Sequence, residues 1–315
     1  MSENWTAADL PSMADETVVV TGANSGIGYE ATRMFAERGA SVVMACRSVE
    51  RGEAASSEIR DDVPTADLDV RECDLSDLES VATFADAFAA DYDDLSVLCN
   101  NAGVMTLPRQ ETADGFETQL GVNHLGHFAL TGRMLDVLAT TGGESRVVTQ
   151  SSGLHEQGRI DFDDLQRERS YDKWAAYAQS KLANVLFGYE LDRRLGNRGV
   201  DAVASVVCHP GWAATGLQAR GPQQSGSTVR LWGMKLANAL FAQSAAHGAL
   251  PMAYAATSDR LAGGEYVGPG GIMNMRGSPE RQRSSEASYD DAVAERLWDV
   301  SEELTDVAYE FDDLS

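Results

Sequence analysis

The stretch 17–47, "TVVVTGANSGIGYEATRMFAERGASVVMACR", decides how this chain folds. An apolar run, Thr17 to Thr21, meets a turn with glycines at 22, 26 and 28. A helical pattern follows from about Ser25 to Gly39, and a second apolar run occupies 41–46. Strand, tight turn, amphipathic helix and strand in that order make a parallel βαβ unit. A glycine-rich turn alone is only a tight connection. Placed after a strand and at the mouth of a helix, it is the context of a dinucleotide site, because glycines let the backbone approach a pyrophosphate resting on the helix N-terminus. Gly22, Asn24, Ser25, Gly26, Ile27 and Gly28 form the candidate cradle, with the spacing Gly-x-x-x-Gly-x-Gly.

The alternation continues outward. A helical pattern from Val49 to Arg60 follows "SVVMAC" (41–46), and one from Leu75 to Asp91 follows "ADLDVREC" (66–73). "LSVLCN" (95–100) precedes a helix expected to begin near Asp114. "SRVVTQS" (145–151), "DAVASVVC" (201–208) and "GEYVG" (264–268) complete the strands. Continuous apolar runs suit strands covered on both faces. The expected architecture is α/β: a single doubly wound Rossmann-type domain over 14–307, with a parallel sheet of about seven strands. Its cofactor half would span about 14–145 and its catalytic and substrate half about 146–307. No repeat or Pro/Gly/Ser linker divides it, and the acidic ends, 1–14 and 306–315, are expected to fray.

The chain has 315 residues and carries 49 Asp and Glu against 25 Lys and Arg, a net charge of −24. Such a surface repels nucleic acid and anionic membranes, so neither is an expected partner. With 43% hydrophobic residues in patterned segments, disorder is excluded as well. The start "MSENWTAADL" lacks the basic and apolar regions of a signal peptide, and no apolar run approaches the ~18–20 residues of a membrane span. A cytoplasmic location is expected. Cys46, Cys73, Cys99 and Cys208 lack metal-ligand spacing and end strand-like runs, so they read as small buried hydrophobes in a reducing compartment, with no metal site. Only Lys173, Lys181 and Lys235 are lysines, against 22 arginines. This acid-rich, lysine-poor composition resembles proteins of halophilic archaea, where molar salt shortens the screening length to about 3 Å.

One of those lysines lies four residues after a tyrosine in "YAQSK", on the same helix face. A free tyrosine, with a pKa near 10, is a poor base at neutral pH, and a neighbouring ammonium favours its phenolate. Thr21-Gly-x-x-x-Gly-Ile-Gly28, Asn100-Asn101-Ala102-Gly103, Tyr177-x-x-x-Lys181 and Pro210-Gly211 in this order resemble the short-chain dehydrogenase/reductase family. "ACRSVERGEAA", "YAQSKLANVLFGYEL", "HPGW" and "RLWDVSEEL" are similar to its branch of retinol dehydrogenases, the WW-domain oxidoreductase and protochlorophyllide reductases.

The resemblance implies a hydride transfer between a nicotinamide cofactor and a carbonyl or alcohol. Tyr177 would be the general acid and base, Lys181 the cation that binds the nicotinamide ribose, and Asn123 the anchor of a water leading to that lysine. Ser152 would hold the substrate oxygen, with Ser151 as the fallback. It also implies Asp74 and Leu75 beside the adenine, and Asn101, Ala102 and Gly103 beside the adenosine ribose and pyrophosphate. Pro210, Gly211 and Thr215 would lie near the nicotinamide. At the end of the second strand, where NAD-using relatives place an acid, stand Cys46 and Arg47. An arginine there can grip a 2′-phosphate with paired donors, so NADP(H) is preferred and NAD(H) remains possible; the bland reading is an exposed Arg at a strand end. Val229, Leu231, Trp232, Leu236, Leu240 and Phe241 form an apolar set that fits a lid over a lipophilic substrate, or a helix packed on the core or on a second subunit of a homo-oligomer. His124, His127, His155 and His209 have no legible partner and read as core or surface residues, although His155 closely follows the serines. The rival reading is a non-catalytic NADP(H)-binding redox sensor on the same fold, which would not need Tyr177.

Overall fold

The computed structural model describes residues 4–211, 244–271, 274–312 and 314. Eight strands form one sheet in the order β3-β2-β1-β4-β5-β6-β7-β8. They are β1 (Thr17–Thr21), β2 (Ser41–Cys46), β3 (Asp67–Glu72), β4 (Val97–Asn100), β5 (Ser145–Gln150), β6 (Val203–Cys208), β7 (Tyr266–Pro269) and β8 (Pro279–Gln282). All neighbours pair in parallel except β7 and β8, which are antiparallel. Strand β8, "PERQ", went unread in the sequence because it has neither alternation nor β-branched residues; among the described residues it pairs with β7 alone.

Side-chain alternation explains why the central strands are apolar throughout. From β1 and β2, Val18, Val20, Val42 and Met44 join one core layer with Met34, Phe35 and Ile59. Val19 and Val43 point the other way, to Phe84, Phe88, Phe128 and Trp298. The first layer uses helices α1 (Gly26–Glu37) and α2 (Val49–Asp62), and the second uses α3 (Leu78–Asp91) and α4 (Gly126–Thr140). Among the described residues, helix α5 (Lys173–Arg198) is followed by α6 (Ala245–Thr257) and α7 (Asp291–Thr305).

Caps decide where the helices begin. Helix α3 starts three residues later than the pattern suggested, because the Asp77 carboxylate accepts from the N–H of Glu79 and Ser80. The helical run after β4 begins at Thr118 rather than near Asp114, since Glu117 caps it through Gln119 and Leu120. Asp114 instead accepts from the backbone N–H of Leu78 at 3.1 Å. The chain then passes through a π-helical stretch, Gly121–Leu125, directly into α4.

In both ends expected to fray, apolar side chains among the described residues pack on the body. Leu10 and Met13 are buried in the first core layer. Val307, Tyr309 and Phe311 are buried in the second, where the Tyr309 ring lies 4.5 Å from Trp298 and its hydroxyl donates to Phe128 O at 2.7 Å. Acidic residues in these segments point outward while the apolar ones alternate inward.

Candidate active site

The strand order reverses between β1 and β4, and a crevice opens there beyond the carboxyl ends of the strands, where open α/β sheets bind ligands. A cleft of about 300 Å³ is lined by Gly22, Asn24, Ser25, Gly26, Ile27, Gly28, Arg47, Asp74, Leu75, Asn101, Ala102 and Gly103. Thus every residue expected at the adenosine and pyrophosphate end lines this cleft. Gly22 and Gly26 hold φ of +67° and +59°, which an L side chain rarely adopts. A Cβ on Gly28 would stand 2.5 Å from both Asn101 Nδ2 and Gly22 O, so only glycine lets this turn close. In a chain this acidic, the first turn of α1 carries no carboxylate. These features fit an anionic pyrophosphate at a helix N-terminus. Arg47 and Arg51 bring guanidinium groups to the same cleft, at the start of α2. Arg51, Ser48, Cys73, Val104, Val122 and Gln150 also line it and were not singled out in the sequence. The i, i+4 spacing of Arg47 and Arg51 was the available signal for the first of them.

Thr21 ties the glycine turn to the second motif. Its hydroxyl accepts the backbone N–H of Asn101 and of Ala102, both at 2.9 Å, and Asn101 Nδ2 donates to Thr21 O at 2.7 Å. The same hydroxyl donates to Cys99 O at 3.2 Å and lies 2.9 Å from His127 Nε2.

Beyond Gly103 the cleft adjoins the tyrosine–lysine group. A Cβ at Gly103 would lie 3.1 Å from Asn123 Oδ1 and 3.5 Å from Lys181 Nζ. Asp172 caps α5, and Tyr177 and Lys181 follow one turn apart on its buried side. The ammonium sits 5.9 Å from the Tyr177 ring centroid and donates to Gln150 O at 3.1 Å. Burial pushes the phenol up to about 12, while the hydrogen bond from the Ser152 hydroxyl draws it down. Burial also brings Lys181 down to about 8, which keeps it an ammonium at neutral pH.

The two serines separate cleanly. The Ser151 hydroxyl is buried and donates to Lys181 O at 2.7 Å, a fastening between β5 and α5. Ser152 is partly open, caps the short 3₁₀ helix Gly153–Gln157, and is the one that meets Tyr177. Asn123 lies in the π-helical stretch, wholly buried; its amide exchanges hydrogen bonds with the backbone of Val104 and donates to Ser180 Oγ at 2.9 Å. The wider π turn, closed by Gly126 N–H on Gly121 O, is what turns Asn123 toward α5.

Pro210 and Gly211 follow β6, and Gly211 has φ +63° in close approach to Met275 O and Pro269. Thr215 and the apolar set from Val229 to Phe241 lie outside the described residues. The four histidines all prove to have partners, which the sequence did not reveal: His124 meets Ser301, His127 meets Thr21 and Asn123 O, His155 meets Ser152 O and Ser285 N–H, and His209 meets Gln282 and Gly211 N–H. All four are buried. The four cysteines are likewise free and buried, with thiols that burial pushes up.

A doubly wound sheet with a dinucleotide cradle at its switch point, abutting a buried polar cluster, defines the Rossmann-type nucleotide-dependent oxidoreductases. A family model of short chain dehydrogenases matches residues 16–225. The chain belongs to the short-chain dehydrogenase/reductase family, in its retinol dehydrogenase-like branch. Retinol dehydrogenase 12 of Homo sapiens is 42% identical to it over 297 residues, which cover 94% of this chain and 88% of that protein. An uncharacterized protein from Mycobacterium Paratuberculosis, 42% identical, superposes with a TM-score of 0.80 over 98% of this chain and 100% of its own. A short chain dehydrogenase from Shigella flexneri 2a, complexed with NADP, shares the fold at 22% identity and a TM-score of 0.61, over 82% of this chain and 98% of that one. Among the described residues, no helix is long and apolar enough to cross a membrane.

Proposed function

We propose that this chain transfers a hydride between NADP(H) and a lipophilic carbonyl or alcohol compound, with Tyr177 as general acid and base. The observation that carries the reading is the Lys181 ammonium 5.9 Å from the Tyr177 ring and beside Gly103, at the end of the glycine-lined cleft. When bound, the nicotinamide supplies or accepts the hydride. Tyr177, protonated at neutral pH, donates to the carbonyl oxygen as charge develops on it, and in the reverse direction removes the alcohol proton. Lys181 favours the phenolate through its charge and holds the nicotinamide ribose. Ser152 fixes the substrate oxygen beside the phenol, and Asn123 braces Val104 and Ser180 and would anchor a water leading to Lys181. Asp74 and Leu75 would flank the adenine, Asn101, Ala102 and Gly103 the adenosine ribose and pyrophosphate, and Pro210 and Gly211 the nicotinamide; Thr215, expected beside them, lies outside the described residues. Arg47, with Arg51 beside it and no carboxylate at the end of β2, favours NADP(H) over NAD(H). The relatives named for retinol support a lipophilic substrate.

The test is Tyr177→Phe, assayed by NADPH consumption with a panel of aldehydes and ketones. Turnover on the best substrate should fall by at least about 100-fold. NADPH binding, followed by fluorescence titration, should persist and remain tighter than NADH binding. Turnover that survives the substitution would sink the acid–base assignment, and a wild-type chain that binds NADPH but turns over nothing would favour the sensor reading.

A further inference from the structure

His155 sits three residues past Ser152, yet it has no proton to offer a substrate. Its Nδ1 lies 2.7 Å from Ser152 O, a pure acceptor, so Nδ1 carries the hydrogen. Its Nε2 takes the backbone N–H of Ser285 at 3.1 Å, a pure donor, so Nε2 is bare. Both ring nitrogens are therefore engaged by backbone, and the neutral Nδ1–H tautomer is the one that satisfies both. Burial, which lowers the tendency of this ring to protonate, acts in the same direction.

The ring is also one of a stack. Tyr266 of β7 packs against His155 at a centroid distance of 5.4 Å and against His209, nearly parallel, at 5.3 Å. His209 takes the opposite tautomer: Nδ1 accepts Gly211 N–H at 3.3 Å, so Nε2–H faces Gln282 Oε1 at 2.9 Å. On the other side of His155, Ser285 belongs to a hydroxyl-rich turn in which Ser284 Oγ meets Tyr189 and Ser288, each at 2.7 Å. The loop after β5 and the loop after β6 are thus clamped to the same ring stack behind the site.

From this arrangement we infer that His155 is a positioning residue: its Nδ1–H grips the Ser152 carbonyl and so sets the Ser152 hydroxyl against Tyr177. The inference rests on the reading of Ser152 given above. Ser152 is held in extended conformation, φ −153° and ψ 152°, and its hydroxyl has only a long contact of 3.3 Å with Leu154 N–H to orient it locally. That carbonyl is held twice, by the His155 backbone N–H at 2.9 Å and by its Nδ1–H at 2.7 Å, and the side-chain bond adds to the backbone one in limiting the freedom of Ser152. Displacements of about 1 Å in a reacting group cost up to about 100-fold in rate, which is the scale expected here.

Two near-isosteres separate the two nitrogens. His155→Asn keeps a donor at the Nδ1 position and loses the acceptor for Ser285; His155→Gln keeps an acceptor at the Nε2 position and loses the grip on Ser152. With the best carbonyl substrate, His155→Gln and His155→Leu should lower kcat about 10- to 100-fold, and His155→Asn should stay within about threefold of wild type. NADPH affinity should be the same in all, and the isotope effect with C4-deuterated NADPH should grow in His155→Gln as hydride transfer becomes rate-limiting. Equal losses in the Asn and Gln variants, tracking their melting temperatures, would reduce His155 to a packing residue and overturn the inference. If His155→Gln does not fold, the Asn-against-Leu comparison decides by the same criterion. Ser152→Ala is measured alongside: if it retains turnover, the Ser152 reading fails; if it collapses while His155→Gln does not, only the His155 inference fails.

Discussion

Lys181 shows how a single residue can be kept against its own cost. It is 4% exposed, and its ammonium has Gln150 O as its hydrogen-bonded acceptor, which Asn184 Nδ2 also reaches at 3.0 Å. Removing the ammonium leaves that carbonyl satisfied, so desolvation dominates the balance, as the fall to about 8 indicates. Lys181→Met should abolish turnover and leave the cofactor-free protein equally or more stable at pH 7, by about 1–3 kcal/mol. The sign with pH is definite. The folded value lies below the ordinary 10.5, so the unfolded chain binds the extra proton between pH 8 and 10.5, and wild-type stability rises across that window. The gap between wild type and variant should therefore narrow from pH 8 to 10.5 in denaturant titrations. A variant that is less stable at pH 7 would show that the hydrogen bond outweighs the burial.

At the scale of elements, the π-helical stretch and α4 place His124 and His127 in the core, and the end of β6 places His209 there. Burial holds these rings neutral, brought down to about 3, 4 and 4. An unfolded histidine titrates near 6.5, so the unfolded chain binds more protons below that value and stability falls with pH from 6.5 to about 4. Each ring contributes up to about 1.4 kcal/mol per pH unit. Protonation of carboxylates relieves self-repulsion in the same range, so the measurement belongs in multimolar KCl, where that term is screened. His124→Phe, in an aromatic cluster with Phe128 and Phe187 about 6 Å away, should flatten the slope of unfolding free energy against pH by about a third. An unchanged slope would assign acid sensitivity to other groups.

Taken as a whole molecule, the chain closes its second core layer with its own C-terminus. Tyr309 stacks among Phe128, Trp298 and Phe311, and its hydroxyl ends on the backbone of α4. Truncation after Asp306 would uncover Trp298, which is 2% exposed in the intact chain. The expected loss is about 3–5 kcal/mol, the cost of deleting one large aromatic from a core, read as a lower midpoint in chemical denaturation at constant salt. No change would mean that the tail frays in solution. Because salt screens self-repulsion in a chain of net charge −24 over 315 residues, the midpoint should rise further as KCl increases.

What the amino-acid order determined by itself was the run of strands and helices and the glycine turn, though not where the Asp77 and Glu117 caps begin their helices. Val18 to Val20 and Val42 to Met44 announce strands buried on both faces, and Gly22, Gly26 and Gly28 announce a turn with no room for side chains. The four-residue step from Tyr177 to Lys181 puts both on one side of α5. Ser151 and Ser152 are chemically equivalent in the sequence; the packing of α5 on β5 sends one hydroxyl to a backbone carbonyl and leaves the other for the phenol. The partners of the histidines, the strand β8 and the docked tail were decided in the same way. The longest of these contacts, His127 with Thr21, His155 with Ser285, His124 with Ser301 and Tyr309 with Phe128, join residues more than a hundred positions apart, and local propensity holds no record of a partner that arrives only when the sheet closes.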